Sequence, residues 1–149
     1  MTWAIESVRE APLTPESVFG LYMDPSTWHR WGHNAKWARA SGPLSEGATV
    51  DVRAGYGRTY ACRILRLVDG RALVLEARPP FIKVIQTYEV EPISTGVRIR
   101  HVLEISGPLS SPMRLARVDR VYQGWLDKEV QRVIELASRP QAAPGDVSG

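Results

Sequence analysis

The sequence predicts an α+β fold in which a curved antiparallel sheet of about seven strands wraps a long C-terminal helix and encloses an internal cavity. Two observations point to the elements. Residues 36–106 alternate short apolar runs with turn residues, and residues 112–138 carry apolar side chains at i, i+3, i+4, i+7 spacing. A third consideration is geometric. One helix cannot fill the whole concave face of a wide twisted sheet, so part of that face is left open between the helix, the sheet and the shorter helices. The chain has 149 residues, the length of one domain. That domain is expected over 1–138, followed by a disordered tail over 139–149, which has too few apolar groups to offset chain entropy.

The elements follow in order. Residues 3–10 suggest a first strand. Thr14-Pro15-Glu16-Ser17 is a helix start: Thr14 caps free amides, Pro15 loses nothing at the first helical position, and Glu16 suits the positive end of the helix. Val18, Leu21 and Tyr22 give that helix one buried side. Asp24-Pro25-Ser26 ends it and begins a second turn through Trp28 and Trp31, stopped by Gly32. Strands are expected at 36–41, 48–54, 58–68, 72–78, 82–91 and 97–106, separated by Gly42-Pro43, Gly55-Tyr56-Gly57, Asp69-Gly70, Pro79-Pro80 and Ser94-Thr95-Gly96. Such short connections imply an antiparallel meander. One long helix over 112–138 closes the chain, its stripe running through Val118, Tyr122, Trp125, Leu126, Val130, Val133 and Ile134.

Composition narrows the function classes. No apolar run approaches the ~20 residues that cross a bilayer. The N-terminus lacks the basic and apolar segments of a secretory signal. The single cysteine, Cys62, leaves no internal disulfide framework, and a cytoplasmic location is expected. The net charge of +3 comes with basic residues spread singly along strands (Arg53, Arg58, Arg63, Arg66, Arg98, Arg100), as on a solvated sheet face. A nucleic-acid surface clusters such residues, so no nucleic-acid partner is expected. His29 and His33 lack a third ligand at a telling distance, so no metal is expected, nor any cofactor. Paired carboxylates, a phosphate loop and a Ser-His-Asp pattern are not found. A monomer or homodimer is expected.

Several stretches carry a resemblance. They are Thr14-Pro15-Glu16-Ser17-Val18-Phe19 leading into Asp24-Pro25-Ser26-Thr27-Trp28-His29-Arg30-Trp31, Gly47 before a strand, Tyr88-Glu89-Val90-Glu91-Pro92 followed by Thr95-Gly96-Val97-Arg98-Ile99, and Glu104-Ile105-Ser106-Gly107-Pro108-Leu109. Over about residues 3–138 the sequence resembles the START-like, or SRPBCC, superfamily in its polyketide cyclase/dehydrase-like branch. The resemblance implies a helix-grip fold that binds a small, mostly apolar ligand of polyketide, lipid or aromatic type. It also implies, as an alternative, cyclisation or dehydration of a polyketide-type substrate. The matching stretches are structural signatures, and no catalytic set is carried over from them.

The hairpin 82–106 can be registered from its own turn. If Pro92 opposes Val97, then Tyr88 opposes His101 and Gln86 opposes Leu103. The face bearing Val84, Gln86, Tyr88, Ile99, His101 and Leu103 is apolar except for three residues, while Lys83, Glu89, Glu91, Arg98 and Arg100 occupy the other. Gln86, Tyr88 and His101 are therefore inward polar groups. Each needs a partner, since leaving one unpaired costs roughly 1–3 kcal/mol. Tyr88 and His101 can satisfy each other or a water, anchor a ligand oxygen, or act as an acid/base pair.

The remaining wall of the cavity is expected from Tyr60, Cys62 and Ile64 on one strand, whose other face carries Leu65 and Leu67, so that a bulge is expected to shift parity along it. Leu75 faces in from the next strand. Trp28 and Trp31 close the sheet over the short helices or gate its opening, and Val118, Tyr122 and Trp125 form a helical wall, with Met113 and Leu115 at the mouth. Arg58 either reaches over the opening toward a ligand carboxylate or is a solvated loop residue.

Overall fold

The computed structural model describes residues 2–32, 35–55 and 57–139. Among them seven strands form one antiparallel sheet: β1 (Thr2–Ala11), β2 (Ala35–Ala40), β3 (Thr49–Ala54), β4 (Thr59–Val68), β5 (Ala72–Ala77), β6 (Lys83–Ile93) and β7 (Gly96–Ser106). Their order across the sheet is β1-β7-β6-β5-β4-β3-β2. Strands β2 to β7 are the expected meander, and β1 joins its far side by pairing with β7. The first two strands thus lie at opposite edges. The chain between them carries α1 (Pro15–Tyr22), a 3-10 turn (Pro25–Thr27) and α2 (Trp28–Trp31) from one edge to the other.

Local chemistry explains these connections. Thr14 Oγ1 accepts from Ser17 N at 3.2 Å and Asp24 Oδ1 accepts from Ser26 N at 3.1 Å, so α1 and the 3-10 turn both start on a side-chain cap. At the β6–β7 turn Gly96 has φ +144, and a Cβ there would lie 2.1 Å from the Ala11 carbonyl oxygen. Only glycine lets the hairpin tip press against the end of β1. The hairpin register is the expected one, with Pro92 opposite Val97, Tyr88 opposite His101 and Gln86 opposite Leu103. A register shift between Ile64 and Arg66 also occurs. It leaves Leu65 exposed while Cys62, Ile64 and, beyond the shift, Leu67 pack inward.

The long helix is a correction. Instead of one helix over 112–138 there are two, α3 (Ser110–Leu115) and α4 (Val118–Ala137). They part at Arg117, which takes the left-handed conformation with φ +60. Apolar periodicity cannot register one such residue between two helical stretches, although it costs about 1–2 kcal/mol. What offsets it is docking: α3 is held beside β1 by Trp3 Nε1, which donates to the Ser110 carbonyl at 2.9 Å. Met113 packs with the Trp3 cluster, while Leu115 is exposed.

The core lies between α4 and the concave sheet face in two clusters. One gathers Val18, Tyr22, Trp28, Trp31, Ile64, Leu73, Ile99, Val130 and Val133; the smaller holds Trp3, Leu103, Ile105 and Leu126. A pocket opens against both. The expected tail beyond Arg139 lies outside the described residues, as do His33 and Tyr56.

Candidate functional site

A pocket of about 250 Å³ lies between α4, strands β2 to β7 and α2. Trp28 and Trp31 contribute from α2, Tyr60 and Cys62 from β4, Leu75 from β5, Gln86 and Tyr88 from β6, Leu103 from β7, and Tyr122 and Trp125 from α4. These expected residues are brought together because strand alternation and helix periodicity place them on facing surfaces. The indole N–H groups of the tryptophans on α2 are satisfied locally, Trp28 by the Tyr22 carbonyl at 3.0 Å and Trp31 by Thr27 Oγ1 at 3.2 Å.

Five expected residues fall off the wall. Ile64 is fully buried in the core cluster behind it. Arg58 is exposed in the β3–β4 turn, where its carbonyl accepts from Ala54 N at 2.7 Å. Ile99 is fully buried in the core opposite Val90. Val118 begins α4 directly after the break at Arg117, and no part of it reaches the pocket. His101 is fully buried as well, with Tyr88 and Glu129, its neighbours, forming the wall in its place.

His101 is the centre of a buried network that differs from the expected Tyr88–His101 pair. The two rings meet edge to face, with centroids 4.8 Å apart, and Tyr88 instead donates its O–H to Gln86 Oε1 at 3.0 Å. The imidazole nitrogens point elsewhere. Nε2 lies 2.7 Å from the Tyr22 hydroxyl on α1, and Nδ1 lies 2.7 Å from Glu129 Oε1 on α4. Cross-strand pairing sets Tyr88 and His101 side by side, whereas the two helices crossing above bring partners end-on to the ring.

Protons can be assigned from this geometry. Burial, with the Glu129 charge as a second cause, holds the Tyr22 hydroxyl well above its ordinary range, so it keeps its proton. Tyr88 is raised for the same two reasons. With the Tyr22 O–H donating to Nε2, the Nδ1–H of His101 donates to Glu129 Oε1. Glu129 in turn lies on the pocket wall. The Cys62 thiol is pushed up to about 11, first by burial and then by Asp51, so near neutral pH it is a small apolar filler and no nucleophile.

Sequence reasoning missed Glu129 and gave Tyr22 only a packing role. A signal for Glu129 existed. It stands four residues after Trp125, three after Leu126 and four before Val133, inside the apolar stripe of α4. A carboxylate there is buried and must find a partner.

The fold and site define a helix-grip protein: a curved antiparallel sheet gripping a C-terminal helix, with a mostly apolar pocket beneath it. A family model described as polyketide cyclase / dehydrase and lipid transport matches residues 2–137, and the chain belongs to that family. No match is found among curated proteins. Solved structures are similar in fold at low identity. A START superfamily protein from Mycobacterium smegmatis has a TM-score of 0.64 at 9% identity, covering 89% of this chain and 92% of that one. Truncated norcoclaurine synthase from Thalictrum flavum has a TM-score of 0.70 at 13% identity, covering 95% and 96%. The di-domain ARO/CYC StfQ from the steffimycin biosynthetic pathway has a TM-score of 0.73 at 12% identity, covering 91% of this chain and 50% of that one.

Proposed function

We propose that the pocket binds a small, mostly apolar molecule of polyketide, lipid or aromatic type, with Gln86, Tyr88 and Glu129 as its polar contacts. The observation that carries this reading is the wall itself: aromatic and aliphatic side chains around about 250 Å³, with a few convergent polar groups. That is the ordinary make-up of a small-molecule site. Membership of a family described by cyclisation, dehydration and lipid transport supports it. Native mass spectrometry of the purified protein is expected to show a co-purifying adduct that organic extraction removes, and re-adding apolar molecules is expected to raise the melting temperature. Absence of any adduct, together with unchanged melting across a panel of lipids and polycyclic aromatics, would sink the reading.

A second reading, acid/base chemistry on a polyketide-type substrate, is favoured by one arrangement. Tyr22, His101 and Glu129 form a hydrogen-bonded chain ending at the pocket wall, which can hold a proton at the carboxylate or take one up there. In this reading His101 acts through Glu129 as a positioning residue, and Tyr88 with Gln86 orients a substrate carbonyl. His101→Gln is then expected to abolish turnover of a polyketide-type substrate while leaving its binding intact. Unchanged turnover removes the chemistry and keeps the binding site.

A further inference from the structure

Glu129 is a carboxylate where carboxylates are costly. It is 6% exposed, on the inward stripe of α4. Among the described residues neither arginine nor lysine pairs with it, and its one hydrogen-bond partner is His101, through Oε1. The second oxygen, Oε2, has none there, and the residue lies on the pocket wall.

His101 leaves that oxygen free. The imidazole is engaged through both nitrogens, Nε2 with the Tyr22 hydroxyl at 2.7 Å and Nδ1 with Glu129 Oε1 at 2.7 Å, so it has no further polar atom for Oε2. The triad therefore ends at a carboxylate oxygen on a residue of the pocket wall, where a donor can come from the pocket side.

The surroundings favour one kind of counter-charge. Trp31, Tyr60, Tyr88, Tyr122 and Trp125 contribute rings to the same wall, and ring faces attract cations. A ligand carboxylate would meet the Glu129 charge at close range. A bare hydrocarbon would leave Oε2 dehydrated and unpaired. An ammonium both donates to Oε2 and neutralises it.

We infer that the ligand of this pocket carries a protonated amine on an apolar, ring-sized body, seated against Oε2 of Glu129. This rests on the reading of the pocket as a small-molecule site and adds the chemical class of the molecule. The test uses four probes with one aromatic body: 2-(1-naphthyl)ethylamine, 2-(1-naphthyl)ethanol, 1-ethylnaphthalene and 1-naphthylacetate. Binding is read near neutral pH by calorimetry and by quenching of tryptophan fluorescence. The amine is expected to bind about tenfold or more tightly than ethylnaphthalene, equivalent to about 1.4 kcal/mol, with the alcohol between and naphthylacetate weakest. Glu129→Gln, which keeps the side chain's shape, is expected to shrink the amine's lead over ethylnaphthalene to about twofold. The inference is overturned if the wild-type protein binds the amine no tighter than ethylnaphthalene, or if the lead survives in E129Q. The wild-type ranking decides even if the variant fails to fold. Binding of ethylnaphthalene without an amine preference defeats this inference alone, whereas failure of all four probes defeats the pocket reading and the inference with it.

Discussion

Strand β7 holds polar networks on both faces, built under opposite conditions. On its outer face Arg98 pairs with Glu10 of β1 and Glu91 of β6, and Arg100 with Glu6 of β1 at 2.7 Å and Glu89 of β6 at 3.2 Å. All these side chains are well exposed, Arg100 at 44%. One residue further along, the inner face presents His101 at 0% exposure, held between Tyr22 and Glu129 at 2.7 Å each. Water and salt can replace the outer partners at little cost. Nothing among the described residues replaces the inner ones. The same strand therefore carries a ladder that tolerates change and a triad that does not.

The largest expected effect breaks the triad. His101→Ala leaves the Glu129 carboxylate and the Tyr22 hydroxyl without the partner they share, and urea unfolding is expected to show a loss of about 3 kcal/mol or more. An effect below about 1 kcal/mol would mean that the inner network is as replaceable as the outer one. Next in size, Tyr22→Phe removes one hydroxyl and leaves only Nε2 unsatisfied, for an expected loss of about 1–2 kcal/mol in the same assay.

Alkaline pH sharpens the inner side of the comparison. Tyr22, Tyr88 and Cys62 all have folded values raised above their unfolded ones, chiefly by burial. Above the unfolded values, the unfolded chain releases protons that the folded chain keeps. Their stability contribution is thus complete below pH 9.0 and is lost as pH rises, for Cys62 between 9.0 and about 11 and for the tyrosines from 10.0 upward. Through Cys62 alone the decline approaches about 1.4 kcal/mol per pH unit. Denaturation of Cys62→Ala between pH 9 and 10 is expected to show a flatter profile than the wild type; identical slopes would contradict this. The smallest effect belongs to the outer ladder. Arg100→Ala is expected to cost under about 1 kcal/mol, and less still at about 1 M salt.

Legibility in the sequence followed the range of the interactions. The register of β6 with β7 was readable because a short turn and strict alternation settle it within about 25 residues. Strand alternation also identified Gln86, Tyr88, Tyr60, Cys62 and Leu75 as inward residues, and helix periodicity did so for Tyr122 and Trp125. The break at Arg117 was not readable, because a single left-handed residue leaves the apolar spacing on either side intact. Val118 was misplaced for the same reason. His101 was correctly turned inward, but its partners were not foreseen: Tyr22 is 79 residues away and Glu129 is 28.

The sequence by itself determined the container: the strands and their inward faces, the helical stripe that covers them, and the need for every inward polar group to be paired. Tertiary structure alone decided the pairing. Cross-strand neighbours point the same way, so Tyr88 and His101 meet edge to face and the Tyr88 hydroxyl bonds Gln86 instead. Helices crossing above the sheet meet the ring nitrogens of His101 end-on, which is why these two nitrogens bond α1 and α4 and why a carboxylate stands at the pocket wall.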